Sequence, residues 1–309
     1  MVKAKVAVCT LAQWALDFEG NRMRILESLR LAKKADCKYR LGPELEISGY
    51  GEKRHYQAKK SVVDQSWKSV AAILDTIQND YSSMLIDIGL PVLYKGKLYN
   101  CRLYILDRKL LALRPKVYLA EGEEEFTRWP LEKKAHLESF ALPPCIIERT
   151  NQTHIPIGIC ILEDKNHITL ASEICEELFV PHSLNEMLVM QNVDIIANGS
   201  ASFYKEGKHE YRKRLMQTGT ETQGSCYLYA NQYGFDGGNH FYDGGSMIWV
   251  NGQLLKEGDR FTFRDVEVLT ESLSITNIRK ARKTKKSMHI QAKNYDYAFP
   301  HLLLHKFSF

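Results

Sequence analysis

Three residues of reactive type stand where a folded chain could present them. Cys175 closes the apolar segment Ile168 to Ile174 and is followed by Glu176-Glu177-Leu178-Phe179. A cysteine at the end of a buried strand, flanked by acids, suits a core poorly and a nucleophile well. Glu44, in Gly42-Pro43-Glu44-Leu45-Glu46, offers a carboxylate at a turn. Lys116, in Arg114-Pro115-Lys116, offers an ammonium just past the apolar run Leu110 to Leu113. Each alone has an ordinary reading: a small buried hydrophobe, a turn carboxylate, a solvated lysine. Together they can hydrolyse an amide. The thiolate is the attacking species. A carboxylate takes the thiol proton and returns it to the leaving amine. An ammonium, helped by a backbone N–H near Cys175, holds the oxyanion of the tetrahedral intermediate. No histidine has a comparable strand-end setting; His154 and His167 lie near turns, so a Cys–His dyad does not compete.

The elements that must position these residues alternate along the chain. Val6 to Val8 reads as a first buried strand. Arg22 to Lys34 reads as a helix, with Ile25, Leu29 and Ala32 at i, i+4, i+7. Ser66 to Asn79 is a second helix, with a stripe of Val70, Ile73, Leu74 and Ile77. Met84 to Leu93, Leu98 to Leu106 and Leu110 to Leu113 follow as strands joined by turns. Ile155 to Ile161 and Ile168 to Ile174 bracket another turn. Pro181 to Gln191 reads as a helix and Val193 to Ala197 as a strand. Ser225 to Asn231, Met247 to Val250 and Val266 to Leu273 complete the sheet pattern. Strands interleaved with helices imply an α/β protein, read here as one domain over 1–275. Residues 276–309 form a basic C-terminal segment, packed on the domain or on a partner protomer. Its run Arg279 to Lys286 reads as a solvated helix or tail.

Composition bounds the function class. The chain has 309 residues, 44% hydrophobic and 26% charged, with a formal net charge of +5. These are values of a soluble globular protein. The mild charge and the lack of aromatic residues within the basic run argue against a nucleic-acid platform. No apolar stretch is long enough to span a bilayer, and the N-terminus turns polar too quickly for a secretory signal. Seven dispersed cysteines, without CxxC spacing, suggest free thiols in a reducing, cytoplasmic setting and no metal site.

Longer runs around the reactive residues carry a resemblance. Leu11-Ala12-Gln13-Trp14-Ala15-Leu16-Asp17-Phe18-Glu19-Gly20-Asn21 is one. Others are Arg40-Leu41-Gly42-Pro43-Glu44-Leu45-Glu46, Tyr99-Asn100-Cys101-Arg102, Ser172-Glu173-Ile174-Cys175-Glu176-Glu177-Leu178-Phe179 and Tyr242-Asp243-Gly244. Glu, Lys and Cys in that order resemble the triad of the carbon–nitrogen hydrolase (nitrilase) superfamily. The longer runs resemble its glutaminase branch, the domain found in glutamine-dependent NAD+ synthetases, from about the start of the chain to Val268. The resemblance implies a four-layer α-β-β-α sandwich, a Glu44–Lys116–Cys175 triad, and glutamine as the amide. It implies no cofactor, a homo-oligomer, and ammonia that could pass to a separate synthetase subunit.

The same resemblance assigns a pocket. Asn198-Gly199-Ser200-Ala201-Ser202-Phe203-Tyr204-Lys205-Glu206-Gly207-Lys208 is similar to the family's Ser-x-Ser segment. It implies that Ser202 and Lys208 hold the substrate carboxylate by charge-assisted hydrogen bonds. Tyr50 and Glu177 are also matched, as pocket residues or else as a packed aromatic and a salt-bridged acid. A second glutamate is implied two residues before an arginine. Phe126 stands there before Arg128, so either Glu125 slips into the role or the acid is gone and the Glu run is a solvated loop. Neither a Ser-Gly-Gly-x-Asp-Ser loop nor a GxGxxG or Walker motif occurs in the sequence. A free-standing amidohydrolase, a partner subunit and an excised domain all fit that. Two rivals remain: the same chemistry on another small amide or carbamoyl compound, and a non-catalytic assembly subunit of the same fold.

Overall fold

The computed structural model of the protein describes residues 2–51, 59–77, 81–236 and 240–309. In chain order the strands are β1 (Lys3–Leu11), β2 (Tyr39–Leu41), β3 (Leu85–Tyr94), β4 (Lys97–Leu106), β5 (Lys109–Pro115), β6 (Glu138–Ala141), β7 (His154–Ile157), β8 (Ile161–Asp164) and β9 (Thr169–Ile174). They continue as β10 (Ile195–Ser200), β11 (Cys226–Asn231), β12 (Tyr233–Phe235), β13 (Phe241–Asp243), β14 (Met247–Val250), β15 (Gln253–Glu257), β16 (Val266–Ser274) and β17 (His301–Leu304). The helices are α1 (Phe18–Lys34), α2 (Lys59–Ile77), α3 (Pro144–Thr150), α4 (Leu184–Met190), α5 (Lys208–Gln223), α6 (Ile275–Lys283) and α7 (Lys286–Lys293).

Two large sheets form the middle of the molecule. One runs β16-β1-β2-β3-β4-β5-β7-β6 and the other β15-β14-β11-β10-β9-β8-β17. Period-two alternation gives each strand two apolar faces. On β1, Ala4, Val6 and Val8 enter one buried cluster while Ala7, Cys9 and Leu11 enter the other. The first cluster lies between the sheets, where Tyr39, Leu41 and Tyr104 share a core with Leu170, Ile195, Ala197 and Leu228. The second holds the inner faces of α1 and α2, including Ile25, Leu29, Trp67, Val70 and Leu74. Helices on the outside of paired sheets make the expected α-β-β-α sandwich. Among the described residues, no helix is long and apolar enough to cross a membrane.

Two sequence expectations change. The run Ile155 to Ile161 is not one strand. β7 pairs with β5 and β6 in the first sheet, while β8 pairs with β9 and β17 in the second. Gly158, at φ 148°, sits at the crossing and donates its N–H to Leu113 O at 2.9 Å. The basic run is not simply solvated. Arg279 and Arg282 both reach the buried Asp194, at 2.6 and 3.3 Å. Arg282 also donates to the carbonyls of Gly224, Asn192 and Val193. Beyond it, β17 joins the second sheet in parallel with β8, and Phe307 and Phe309 are buried between the sheets. Residues 78–80, which include the end of the helix expected over Ser66 to Asn79, lie outside the described residues.

Candidate active site

Strand ends bring the three reactive residues together. The turn holding Glu44 follows β2, Lys116 follows β5, and Cys175 follows β9. The carboxyl ends of strands are where open α/β sheets place their ligands. Glu44 belongs to one sheet and Cys175 to the other, so the site lies where the sheets meet. Glu44 N–H donates to Ser200 O at 3.2 Å, and Ala201 N–H donates to Glu44 Oε2 at 3.1 Å.

The Glu44 turn is held from below by buried arginines. Arg102 donates to the carbonyls of Pro43 and Gly42 at 2.7 and 2.9 Å, and pairs through Nε with Asp87 at 2.7 Å. Arg40 forms a two-pronged pair with Glu46 at 2.8 and 2.7 Å, the geometry that best repays desolvation. Close approach demands glycine here. A Cβ on Gly199 would lie 2.3 Å from Arg102 Nη1, and one on Gly89 would lie 2.5 Å from Leu45 N.

Lys116 is the centre of the site and fully buried. Its Nζ lies 2.6 Å from Glu44 Oε1 and 2.9 and 2.8 Å from the two oxygens of Glu123. Burial opposes the ammonium, but the Glu123 and Glu44 carboxylates outweigh it and hold the lysine above its ordinary pKa. Asn100 Nδ2 donates to Glu44 at 2.8 Å and to Glu123 at 3.3 Å. Burial raises the Glu44 carboxyl, Lys116 lowers it, and Glu123 raises it again, for a net rise. A carboxylate lifted in this way is a stronger base. Cys175, 7% exposed, is pushed up by burial and then by Glu44, while Lys116 and Lys208 pull the other way. The two largest of these effects both favour the protonated thiol over the thiolate.

Cys175 sits at φ 42°, in the left-handed region that a non-glycine residue enters at a cost. Asn198 Oδ1 accepts its backbone N–H at 3.0 Å. That bond occupies the N–H of Cys175 itself. The next one, on Glu176, begins a short 3₁₀ turn over Cys175–Leu178 and has no acceptor within that turn.

The proposed pocket residues separate. Ser202 is buried, and its Oγ has no hydrogen-bond partner among the described residues. Lys208 opens α5, with Nζ 3.9 Å from the Phe203 ring centre and 5.6 Å from that of Phe179. Among the described residues no carboxylate pairs with it, and burial lowers its pKa. Tyr50 packs edge-on against Tyr242, and its pKa is raised by burial and by Glu123, Glu44 and Cys175 around it.

For Glu177 and Glu125 the structure favours the alternative to a pocket role. Glu177 does not line a pocket. It is fully buried, pairs with Arg114 at 2.7 Å, and accepts Val117 N–H at 2.6 Å and Ile174 N–H at 2.7 Å. One carboxylate thus ties the residue after Lys116 to the residue before Cys175. Glu125 does not reach the cluster; it pairs with Lys59 at 3.1 Å, partly exposed. Glu123, not Glu125, is the acid that reaches Lys116, and the turn from Ala120 folds back so that Glu123 Oε2 accepts Ala120 N–H at 2.6 Å. Glu123→Gln is expected to lower kcat about 100-fold by weakening the hold on Lys116. Glu125→Gln is expected to leave kcat within about twofold, since an exposed pair contributes little. Steady-state kinetics of the two variants checks this.

The chain is similar to known proteins in sequence and fold. Glutamine-dependent NAD(+) synthetase of Homo sapiens is 40% identical over 294 residues, covering 94% of this chain and 41% of that protein. The Saccharomyces cerevisiae protein of the same description is 39% identical over 297 residues, covering 95% and 41%. The chain thus spans well under half the length of these relatives. The crystal structure of a glutamine-dependent NAD(+) synthetase from Cytophaga hutchinsonii superposes with a TM-score of 0.75 at 25% identity, over 88% of this chain and 43% of that one. An amidase from Nesterenkonia sp. shares the fold, with a TM-score of 0.67 at 18% identity over 92% and 95%. The carbon–nitrogen hydrolase family pattern matches residues 5–283. By that match, and by the sandwich it folds into, the chain belongs to the carbon–nitrogen hydrolase family.

Proposed function

We propose that the protein hydrolyses glutamine to glutamate and ammonia through a thioester on Cys175. The observation that carries this reading is the Lys116 ammonium bridging Glu44 and Glu123 beside the Cys175 thiol. Cys175 Sγ attacks the carboxamide carbon as Glu44 takes the thiol proton. Lys116 and the Glu176 N–H stabilise the oxyanion. Glu44 then passes its proton to the departing nitrogen, which leaves as ammonia. Water, deprotonated by Glu44, cleaves the thioester and restores the thiol.

Glutamine is favoured over a neutral amide by the unpartnered Ser202 hydroxyl and the Lys208 ammonium near it in sequence. A desolvated cation without a carboxylate partner is suited to receive one from a ligand. The relatives' description as glutamine-dependent NAD(+) synthetases supports the same substrate, with NAD+ synthesis as the destination of the ammonia. Lys208→Met is expected to raise KM for glutamine by the equivalent of about 2–5 kcal/mol, while a neutral amide is little affected. An equal effect on both would make Lys208 a support of its loop. Ammonia release from a panel of amides, glutamine included, tests the substrate itself. Turnover of another amide with none of glutamine would refute it and leave the triad standing.

A further inference from the structure

A buried polar chain runs from the backbone of Cys175 into the second sheet, and no step of the hydrolysis uses it. Asn198 Oδ1 accepts from Cys175 N–H at 3.0 Å and from Ser200 Oγ at 2.7 Å. Asn198 Nδ2 donates to Tyr227 OH at 2.9 Å. Tyr227 OH donates to Glu173 Oε2 at 2.6 Å, and Glu173 Oε1 accepts Asn185 N–H, in α4, at 2.6 Å. Glu173 and Asn198 are fully buried, and Tyr227 is nearly so.

The direction of each bond is fixed from its two ends. The backbone N–H groups of Cys175 and Asn185 can only donate. Cys175 N–H therefore requires the oxygen of Asn198, which turns the Asn198 NH2 toward Tyr227. Tyr227 must then accept from Asn198 and spend its single proton on Glu173. That arrangement needs Glu173 as a carboxylate. A proton on Oε2 would face the Tyr227 proton, and one on Oε1 would face Asn185 N–H. Relieving the first conflict reverses Tyr227, turns the Asn198 amide over and sets its NH2 against Cys175 N–H. The left-handed turn at Cys175 would lose its hydrogen bond.

We propose that Glu173 is a positioning residue: as a carboxylate it sets, through Tyr227 and Asn198, the hydrogen bond that holds the Cys175 backbone in its reactive conformation, and protonation reverses the chain. The proposal rests on the reading of Cys175 as nucleophile. Burial lifts Glu173 to about 7, opposed by the Tyr227 hydrogen bond; Glu177 raises it further, while Asn185 N–H and Arg114 lower it. The titratable and charged groups facing it are thus Tyr227 on β11, Glu177 in the turn after β9, and Arg114 on β5. The carboxylate form is lost as pH falls through that value, so activity falls with it.

The test compares the pH profiles of kcat for the wild type, Glu173→Gln and Tyr227→Phe, with glutamine as substrate. Glutamine at 173 must turn an NH2 toward either Tyr227 or Asn185 N–H, so it mimics the protonated state. We expect Glu173→Gln to lose about 10- to 100-fold in kcat at pH 8, the scale of a small misplacement of a reacting group. KM should change less than about threefold, and the part of the acid limb that Glu173 sets near neutrality should disappear, leaving the part set by Glu44. Tyr227→Phe keeps the ring and is expected to abolish the same part of the limb, so it carries the test if Glu173→Gln does not fold. Wild-type kcat and an unchanged acid limb in the folded variants would overturn the proposal. A lowered Tm with unchanged kcat and limb would make Glu173 structural and overturn it equally. Cys175→Ala, run beside them, separates the two readings. Retained turnover there overturns the nucleophile and the relay with it, whereas lost turnover there with an unaltered Glu173→Gln profile overturns the relay alone.

Discussion

Cys175→Ala is expected to reduce amide turnover by about 10⁴- to 10⁶-fold, the scale on which removing a covalent nucleophile acts. The fold should survive. The side chain is small and 7% exposed, so its loss removes a thiol and leaves little cavity. Steady-state kinetics with a thermal melt checks both halves. Substantial turnover in a folded Cys175→Ala protein would refute the assignment.

Glu44→Gln and Lys116→Met are the next largest effects. Glutamine at 44 cannot accept the thiol proton, and the loss should be about 10²- to 10⁴-fold in kcat. Methionine at 116 removes the oxyanion donor, for about 10²- to 10³-fold. It also leaves Glu44 and Glu123 facing each other without the ammonium that lies within 2.9 Å of both. Breaking a buried charge cluster on one side typically costs about 3–5 kcal/mol of stability, so Lys116→Met should melt lower while Glu44→Gln changes less. The double variant should lose far less than the product of the two, because both residues serve one transition state. Multiplicative losses would mean that one of them only supports the structure. Near-normal kcat in either single variant would contradict the triad.

Much of this was legible in the sequence, and the exceptions have physical causes. Strands rich in apolar residues, such as β1 and β3, are buried on both faces and announce themselves. So do α1 and α2, whose apolar stripes face a sheet. α5 has no such stripe: the residues it buries are His209, Arg212, Met216 and Thr220, so hydrophobic periodicity passes over a helix that carries Lys208. Arg212 is buried because Asp243 meets it at 2.8 and 2.7 Å, a pairing between residues far apart in the chain. The same blindness affects the site. Cys175, Glu44 and Lys116 stand at strand ends and could be read from local context. Glu123 is one of four acids between Glu121 and Glu125, and only the backward fold of its turn selects it. Asn100 and Asn198 carried a weaker signal, a polar amide inside an otherwise apolar strand, which in a core must satisfy a partner. Glu177 read equally as a pocket residue or a salt-bridged acid, and its oxygens are taken by Arg114 and two backbone N–H groups. Spacing along a chain cannot show which way such a carboxylate turns.

The most direct test of the central claim is peptide mapping by mass spectrometry after brief exposure of the native protein to an electrophilic glutamine analogue. Cys9, Cys37, Cys101, Cys160 and Cys226 are buried thiols, and burial raises the pKa of each. Cys145 is partly exposed, and burial raises its pKa too, with Arg149 opposing and Glu148 adding to the rise. The account predicts one adduct, on Cys175, formed at a rate that saturates with analogue and is suppressed by glutamine and by Glu44→Gln. Labelling of Cys145 at an equal or faster rate, or labelling of Cys175 that glutamine does not slow, would contradict it.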